Sequence, residues 1–156
     1  MKREMLREDC RMSAEEAKDY LKKENWGVLS LCGDDGFPYG VPMNYVWDEG
    51  TILLHCTAKK SHRLDALRKD AKVCFTVVPE HRLDPENRTC LYASVIVFGM
   101  AEILTEKEEK IAAMKAFMRA LAPQSIAPAF SACDPGSDSL AMIRIRPVYM
   151  TGKKNS

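Results

Sequence analysis

Apolar residues in the first half of the chain form short segments separated by turn signals, a pattern that predicts β-strands. WGVLSLC (residues 26–32) ends at the Gly33-Asp-Asp-Gly36 turn. YGVPMNYVW (residues 39–47) is followed, across Asp48-Glu-Gly50, by TILLHC (residues 51–56). Glycine and aspartate provide the positive φ and the side-chain caps that hairpin turns need. We therefore expect two hairpins here.

Three later segments predict further strands: AKVCFTVV (residues 71–78), CLYASVIVFGMAEIL (residues 90–104) and AMIRIRPVYM (residues 141–150). Both alternating faces of residues 90–104 are apolar. We expect a barrel core to cover one face of this strand and a helix or a second subunit to cover the other. Gly99 is the predicted bend of this long strand. Pro42 lacks an amide hydrogen, so its strand must lie at an edge, at a bulge or beside a ligand.

Two capping boxes predict helices. Ser13 and Glu16 begin a helix that should run to about Lys23, with Ser13 capping the first turn and Glu16 reaching back. Residues 105–108 (TEKE) begin a second helix, which should stop at Pro123. Its apolar side is predicted from residues at helical spacing: Ile111, Met114, Met118 and Leu121.

The order of these elements predicts an α+β fold, an antiparallel barrel with about three flanking helices. Residues 123–139, rich in proline, serine and glycine, are a predicted loop. The 156 residues suffice for one core and not for two comfortable ones, so we expect a single domain over residues 1–156.

The charge balance limits the class of partner. There are 23 Lys plus Arg against 22 Asp plus Glu, a formal net charge of +1, which gives no strong attraction to nucleic acid or to anionic lipid. No apolar run approaches the roughly 20 residues of a membrane span, and no signal-peptide pattern is present, so we expect a cytoplasmic protein without membrane partners. The six cysteines lack any CxxC spacing, and we expect reduced thiols: Cys10, Cys32, Cys56, Cys74, Cys90 and Cys133.

The stretch HCTAKKSHRLDALRKD (residues 55–70) concentrates histidine, cysteine and basic residues. A zinc site needs three or four converging ligands. His55 and Cys56 are neighbours in a strand and point to opposite faces. His62 is alone and His81 lies in a polar loop, so we predict no metal site.

An anion site agrees better with the same stretch. Ser61 is a good N-cap for a short helix with Leu64 and Leu67 on its apolar side. The free amides at the start of this helix suit a phosphate, and basic groups surround them: Lys59, Lys60, His62 and Arg63. A solvated turn with ordinary surface lysines explains the residues alone equally well. Nucleic-acid binding would need a wider basic surface with exposed aromatic side chains.

The chain resembles a known family through PYGVPMNYVW, HCTAKKSHRLDALRKDAKVCFTVV, SVIVFGMAEIL and the closing VYMTGK. Residues 37–104 are similar to the flavin-binding half of the pyridoxamine 5'-phosphate oxidase-like superfamily of Greek-key split β-barrels. The 5-nitroimidazole resistance (NimA-like) branch is the most similar. The resemblance implies an FMN-binding homodimer with the flavin in a groove between two subunits; FAD is an alternative cofactor.

The resemblance also assigns candidate flavin-binding residues. The strand that runs along the flavin corresponds to Val41, Pro42, Met43, Asn44, Tyr45 and Val46, without the basic residue that the oxidases carry at each end. A Tyr-Thr pair beside the flavin corresponds to Cys56 and Thr57. The Ser-Arg-Lys that grips the phosphate corresponds to Ser61, His62 and Arg63, and Lys59 or Lys60 can compensate for the lost charge. A glutamine at the flavin corresponds to Ser94.

The same resemblance implies an activity. We expect a flavin-dependent reductase of small electron-poor substrates such as nitroaromatics, with His55 or Cys56 as the catalytic side chain at the end of the TILLHC strand. The chain ends in VYMTGKKNS and lacks the arginine- and histidine-bearing segment of the oxidases, so oxidase activity on pyridoxamine phosphate is not expected. The alternatives are a non-catalytic flavin or haem carrier and a barrel that acts only as an interaction module.

Overall fold

Seven antiparallel strands form one sheet in the computed structural model, which describes residues 4–125 and 138–155. The strands are β1 (Trp26–Cys32), β2 (Pro38–Asn44), β3 (Val46–Asp48), β4 (Thr51–Thr57), β5 (Lys72–Asp84), β6 (Thr89–Ile103) and β7 (Leu140–Asn155). The helices are α1 (Ala14–Lys23), α2 (His62–Lys69) and α3 (Lys107–Leu121). Short 3-10 turns lie at Glu8–Cys10 and Pro123–Ser125. Most of the predicted loop, residues 126–137, lies outside the described residues.

The sheet curls because its two edge strands are consecutive in the chain. The strand order is β2-β1-β5-β6-β7-β4-β3, so β2 and β3 lie at opposite edges, yet only Tyr45 separates them along the chain. The sheet must therefore bend round until those edges approach each other. This curled half-barrel with three helices confirms the predicted α+β split barrel. The single-domain extent stays a prediction.

Tyr45 marks a correction to the predicted strand 39–47, which is broken there into β2 and β3. Its side chain is fully buried, and its hydroxyl donates to the Leu21 carbonyl at 3.0 Å. Its ring meets Phe75 edge-on, with centroids 5.1 Å apart. The chain turns at Tyr45 because this large side chain is taken into the core while β2 pairs with β1 and β3 pairs with β4. Pro42 lies in the edge strand β2, as predicted.

The barrel interior is the main core. It takes one face of each long strand, and α1 and α2 close it with Leu21 and Leu64. A second, smaller cluster lies outside the barrel, where α3 covers β3, β4 and β7 with Val46, Leu53, Leu104, Ala113, Phe117 and Met142. The two sides of β4 therefore face different environments, the barrel core and α3.

β6 shows the predicted two-sided character. Its odd-numbered residues from 93 to 101 are buried in the barrel, whereas the even-numbered residues 92–98 are half-buried and Met100 is exposed. On this outward side Phe98 stacks on Tyr149 of β7, with centroids 4.5 Å apart. The β6–β7 register shifts between Phe98 and Gly99, which is where a bend was predicted.

Several element ends differ from the sequence-based expectation. β5 continues to Asp84, so His81 lies in a strand and not in a polar loop. β7 continues to Asn155 and pairs there with the far end of β6. Both extensions are rich in polar residues, and antiparallel pairing with β6 holds them in strand form.

The capping boxes are partly confirmed. Ser13 caps α1 by accepting from the Glu16 amide at 3.1 Å, but the Glu16 carboxylate pairs with Lys154 of β7. In α3 the N-cap is Glu106, which makes no side-chain cap hydrogen bond, and not Thr105. The helix turns Lys110, Ala113 and Phe117 inward, whereas the predicted Ile111, Met114, Met118 and Leu121 are only half-buried.

A charged group ties α3 to the sheet. The Arg144 guanidinium of β7 donates to Glu102 of β6 at 2.9 Å and to Glu109 of α3 at 3.2 Å. Arg146 also pairs with Glu102. Hydrogen bonds from Arg146 first, and from Arg144, hold the pKa of the Glu102 carboxyl below its usual value.

Within the described residues, no helix is long and apolar enough to cross a membrane. The cysteines of this part of the chain are free thiols: Cys10, Cys32, Cys56, Cys74 and Cys90. Cys133 lies outside the described residues.

Candidate functional site

The candidate site is built on the N-terminus of α2. Ser61 has an extended backbone and its hydroxyl accepts a hydrogen bond from the Leu64 amide at 3.4 Å, which confirms it as the N-cap. Leu64 and Leu67 anchor the helix in the barrel core. This anchoring fixes the first two residues of the helix, His62 and Arg63, at the end of the barrel where β4 terminates.

Arg63 is the most unusual side chain of the site. Its Nη1 donates to the Met43 sulfur of β2 at 3.6 Å, and it also lies beside the Cys56 thiol of β4. Both partners are weak acceptors. Its Nε is buried and has no hydrogen-bond partner among the described residues. A guanidinium left in this state is costly, and an oxyanion that accepted from it would remove the cost. The predicted flavin phosphate fits this position.

Cys56 lies on the barrel side of β4. It is buried in the main core, and burial raises the pKa of its thiol, although the nearby Arg63 acts in the opposite direction. The thiol is therefore neutral at physiological pH. Since the thiolate is the reactive form of cysteine, Cys56 contributes shape and polarity to the site and not a nucleophile.

His55 lies on the other side of β4. Its ring contacts Phe117 of α3 edge-on, with centroids 4.7 Å apart. His55 is exposed as a whole residue, but partial burial of its ring, and then the charge of Arg63, lower the pKa of His55. The imidazole is therefore neutral at neutral pH. The structure thus gives the two candidate catalytic side chains opposite directions, with Cys56 toward Arg63 and the barrel and His55 toward α3.

His62 is not alone, contrary to the prediction. Its Nε2 lies 3.0 Å from Asp34 Oδ1, in the β1–β2 turn. Its ring stacks on Tyr39 of β2 with centroids 4.4 Å apart and 17° between the planes. Ligand atoms of His62, Asp34 and Asp35 all lie within 4.8 Å of one another, and all three residues are exposed. His62 therefore points toward the β1–β2 turn, away from the Arg63 position.

One face of β2 leads from the core to the surface past these groups. Met43 is buried, Val41 and Tyr39 are half-buried, and Phe37, just before the strand, is 72% exposed. These residues alternate with outward-facing ones and so share one side of the strand. Aromatic surface thus extends from beside Arg63 out to solvent.

The other predicted flavin residues are spread around this centre. Pro42 and Asn44 are exposed on the opposite face of β2, and the Asn44 amide donates to the Asn25 carbonyl at 3.1 Å. Tyr45 and Val46 are buried in the two cores, so only their backbone could meet a ligand. Thr57 ends β4 and is exposed, and Lys59 and Lys60, also exposed, follow that strand. Ser94 of β6 is half-buried and pairs with Lys153 of β7.

Three contacts of the site were not predicted from the sequence: Arg63 with Met43, His62 with Tyr39, and His62 with Asp34. Each joins residues at least 20 positions apart. The signals present were the aspartates of the predicted turn and the alternation of β2, but neither identifies a partner across the barrel end.

Comparison with known proteins now decides the family. A family model described as pyridoxamine 5'-phosphate oxidase matches residues 13–154. The chain belongs to this family. The match covers α1 through β7 and therefore includes the whole curled sheet. No curated protein sequence matched the chain.

Solved structures share the fold of this chain. A candidate 5-nitroimidazole antibiotic resistance protein from Bacteroides thetaiotaomicron is 23% identical, with TM-score 0.77 over 92% of this chain and 85% of the other. A conserved hypothetical protein from Mycobacterium tuberculosis is 24% identical, with TM-score 0.80 over 97% and 90%. A FAD-binding protein from Mesorhizobium loti is 25% identical, with TM-score 0.69 over 94% and 97%.

Proposed function

We propose that this chain binds a flavin nucleotide whose phosphate is held by Arg63 and by the first amides of α2. The observation that carries this proposal is the buried Arg63 Nε, which has no hydrogen-bond partner in the part of the chain that the structure describes. A phosphate oxygen supplies the strong acceptor that the Met43 sulfur and the Cys56 thiol do not. FMN is the smallest flavin that carries such a phosphate, and FAD carries it too.

The comparisons support a flavin as the ligand. The chain belongs to the pyridoxamine 5'-phosphate oxidase family, and its Mesorhizobium loti relative is named a FAD-binding protein. The Bacteroides relative is named for resistance to 5-nitroimidazoles. This name favours a reductase of small electron-poor substrates such as nitroaromatics, and we propose that activity here.

The side chains of the site indicate what the flavin and the chain would each contribute to the reaction. When bound, the flavin supplies the redox chemistry. Arg63 and Ser61 hold its phosphate end, and the backbone of residues 42–45 lies along the edge strand where the ring would rest. The neutral Cys56 thiol keeps the barrel side of the site free of a second charge. The chain thus positions the flavin and controls access to it, and we expect no covalent step on Cys56.

A non-catalytic flavin carrier is the second candidate. The observation that favours it is the orientation of His55, which is turned against Phe117 on the α3 side of β4 while Arg63 lies on the other side. A reductase needs a proton source near the flavin, and neither His55 nor the high-pKa Cys56 thiol is an obvious one. Steady-state reduction of a nitroaromatic by the flavin-loaded protein separates reductase from carrier.

We propose further that the protein is a homodimer formed through the outward side of β6 and β7. Ile96, Phe98 and Tyr149 line this side, and Met100 and Val148 are 43% and 68% exposed beside it. Contiguous exposed apolar surface of this kind marks an interaction site. A second copy of the chain would cover it and would form the other wall of the flavin groove.

Replacement of Arg63 tests the phosphate site. We expect Arg63→Ala to lower FMN affinity by roughly 10- to 100-fold, because a charge-assisted hydrogen bond contributes about 1.5–3 kcal/mol. The double variant with Ser61→Ala should retain less flavin still. Arg68→Ala is the matched control, since Arg68 lies on the same helix, is exposed and pairs with Asp65 at 2.9 Å. Undiminished FMN affinity in Arg63→Ala would remove the assignment.

A further inference from the structure

A cavity on the α3 side of the sheet is separate from the proposed flavin site. It has a volume of about 440 Å³ and is lined by residues of α3, the β3–β4 hairpin and β7. Its lining includes Leu53 of β4, which packs under α3, whereas Arg63 lies beside Cys56 on the barrel side of the same strand. The volume is within the range of roughly 300–1,000 Å³ that small-molecule sites usually have.

Alanines on α3 leave the space that forms this cavity. Ala112, Ala113 and Ala116 line it, and Ala113 packs against the sheet in the same cluster as Leu53 and Phe117. An alanine side chain ends at Cβ, so at these positions the helix lies on the sheet without filling the gap beside β4. Since Ala113 and Leu53 are buried, the apolar wall of the cavity is part of the close-packed core.

Two arginines of β7 bring positive charge to the cavity in a fixed arrangement. Glu102 Oε1 accepts from Arg144 Nη1 at 2.9 Å, and Glu102 Oε2 pairs with Arg146 Nη1. One carboxylate thus holds both guanidinium groups, each through a single nitrogen. Within the described residues, the Nε and Nη2 of both arginines have no acceptor. These donors are available to a ligand oxyanion, for which the planar guanidinium is well suited.

The remaining charges of the cavity are unpaired. Arg119 of α3 lines it and is exposed, and Asp48 and Glu49 line it from the β3–β4 hairpin. None of these three side chains forms an ion pair or a side-chain hydrogen bond with a residue that the structure describes. Opposite charges therefore share one cavity without contacting each other, and a ligand that carries both charges would complete the arrangement.

Glu49 occupies a backbone position that a glutamate does not favour. Glu49 and Gly50 form the two-residue turn between β3 and β4, and their φ angles are 45° and 82°. Turns of this kind favour Asn, Asp or Gly, because other side chains are strained at a positive φ. The turn itself therefore does not explain the glutamate, whose carboxylate lines the cavity.

The mixed charges of the cavity select the class of ligand. A plain anion would be attracted by the arginines and repelled by Asp48 and Glu49, and a plain cation would meet the reverse. A zwitterion has no net charge and can satisfy both sets of groups.

The spacing of the charges narrows this class further. Asp48 pairs with Thr51 at the start of β4. Arg144 of β7 pairs with Leu53, two residues further along β4, or about 7 Å away. Such a separation suits an ω-amino acid better than an α-amino acid, whose two charged groups share one carbon.

We propose that this cavity binds a small ω-amino acid, with its carboxylate at the arginines of α3 and β7 and its ammonium group at Asp48 and Glu49. The proposal concerns a second ligand, on the other side of β4 from the flavin, and it does not depend on flavin binding.

Isothermal titration calorimetry with matched small probes tests the site. γ-Aminobutyrate carries both charges, butyrate carries only the carboxylate and butylamine carries only the ammonium group. We expect γ-aminobutyrate to bind at least about tenfold more tightly than either single-charge probe, since each of those loses one set of charge-assisted hydrogen bonds. Glycine, whose charges are adjacent, should also bind more weakly than γ-aminobutyrate.

Arg119→Gln and Glu49→Gln test the two ends of the cavity separately. Both residues are exposed and unpaired among the described residues, so thermal unfolding should be nearly unchanged. Each variant should lower γ-aminobutyrate affinity at least about fivefold. Arg119→Gln should not lower the affinity for butylamine, and Glu49→Gln should not lower the affinity for butyrate. The matched controls Arg82→Gln and Glu86→Gln alter exposed residues outside the cavity and should bind γ-aminobutyrate like the wild type.

Equal affinities for γ-aminobutyrate and butyrate would overturn the proposal, because the acidic hairpin would then take no part in binding. Absence of saturable γ-aminobutyrate binding in the wild type, or wild-type affinity in both variants, would overturn it as well. FMN affinity, measured on the same variants, should keep its wild-type value, since neither variant alters Arg63 or the start of α2. Failure of this proposal would therefore leave the proposed flavin site intact.

Discussion

Among single residues, Arg63 is the one on which the proposed phosphate site depends most. A buried donor without an acceptor costs about 1–3 kcal/mol, and Arg63 Nε is in that state among the described residues. An apolar residue at this position would avoid the cost. A bound oxyanion explains why an arginine is held here by Met43 and Cys56, neither of which satisfies it.

The residues of the site differ in how far the sequence could predict them. Ser61 was predicted as an N-cap because capping depends on a few consecutive residues. The opposite directions of His55 and Cys56 were predicted from strand alternation. Which of them meets Arg63 could not be predicted, because the answer depends on which face of β4 is turned into the barrel.

Tyr45 gives a prediction of pH dependence. Burial, and then the charge of Glu24, raise the pKa of its phenol in the folded state. Because the folded pKa is the higher one, the stabilisation is complete below the unfolded pKa of about 10 and is lost as pH rises above it. Thermal unfolding midpoints measured from pH 8 to 11 should therefore fall more steeply in the wild type than in Tyr45→Phe.

Tyr45→Phe should also lower the stability of the protein at neutral pH. Tyr45→Phe removes the hydrogen bond to the Leu21 carbonyl, and we expect a loss of about 1 kcal/mol in the free energy of unfolding at pH 7. Every other ionisable group is the same in both proteins, so the difference between the two profiles isolates Tyr45. Parallel profiles above pH 9 would contradict the assignment of this residue to the buried core.

At the scale of elements, the strands and helices were predicted well where periodicity and burial agree. β1, β4 and the central part of β6 follow their predicted segments closely. The prediction was wrong where long-range packing decides. The break between β2 and β3 depends on a pocket for Tyr45 that residues distant in sequence create, and the extension of β7 depends on pairing with β6. Neither feature has a local sequence signal.

Gly99 tests the bend in β6. A Cβ added there would lie 2.6 Å from the Arg146 carbonyl oxygen and 2.7 Å from Ile145 Cγ2, so the backbone of β7 would have to move. We expect Gly99→Ala to lower the free energy of unfolding by about 1–3 kcal/mol. The measurement is urea denaturation.

Gly40→Ala is the matched control for that strand variant. Gly40 is also a strand glycine, and the nearest atom to an added Cβ is Val28 Cγ1 at 3.4 Å. Its replacement should change stability by no more than about 1 kcal/mol in either direction. Equal losses in the two variants would show that strand propensity, and not the close approach of β6 and β7, explains the glycine at 99.

At the scale of the whole molecule, the fold class was predictable because alternating apolar segments and turns define antiparallel strands, and the resemblance supplied their arrangement. Closure of the sheet follows from chain connectivity, with β2 and β3 joined through Tyr45. The chain itself leaves Met100 exposed on the outward side of β6, and the proposed second copy would cover this side.

The proposed homodimer predicts a specific behaviour in solution. Phe98→Glu places a charge on the outward side of β6, where Phe98 stacks on Tyr149. We expect this variant to be monomeric by size-exclusion chromatography with light scattering and to bind flavin more weakly, because half of the groove is lost. The control Leu6→Glu, at a fully exposed residue, should stay dimeric. A wild type that is monomeric at all concentrations would contradict the dimer.

The measurement that tests the central claim most directly is the affinity of the wild-type protein for FMN and for riboflavin, followed in the visible flavin absorption bands. The two ligands share the ring and differ in the phosphate. If Arg63 and the start of α2 hold that phosphate, FMN should bind at least about tenfold more tightly, since a charge-assisted contact contributes about 1.5–3 kcal/mol. Equal affinity for the two ligands, or uptake of neither, would contradict the account.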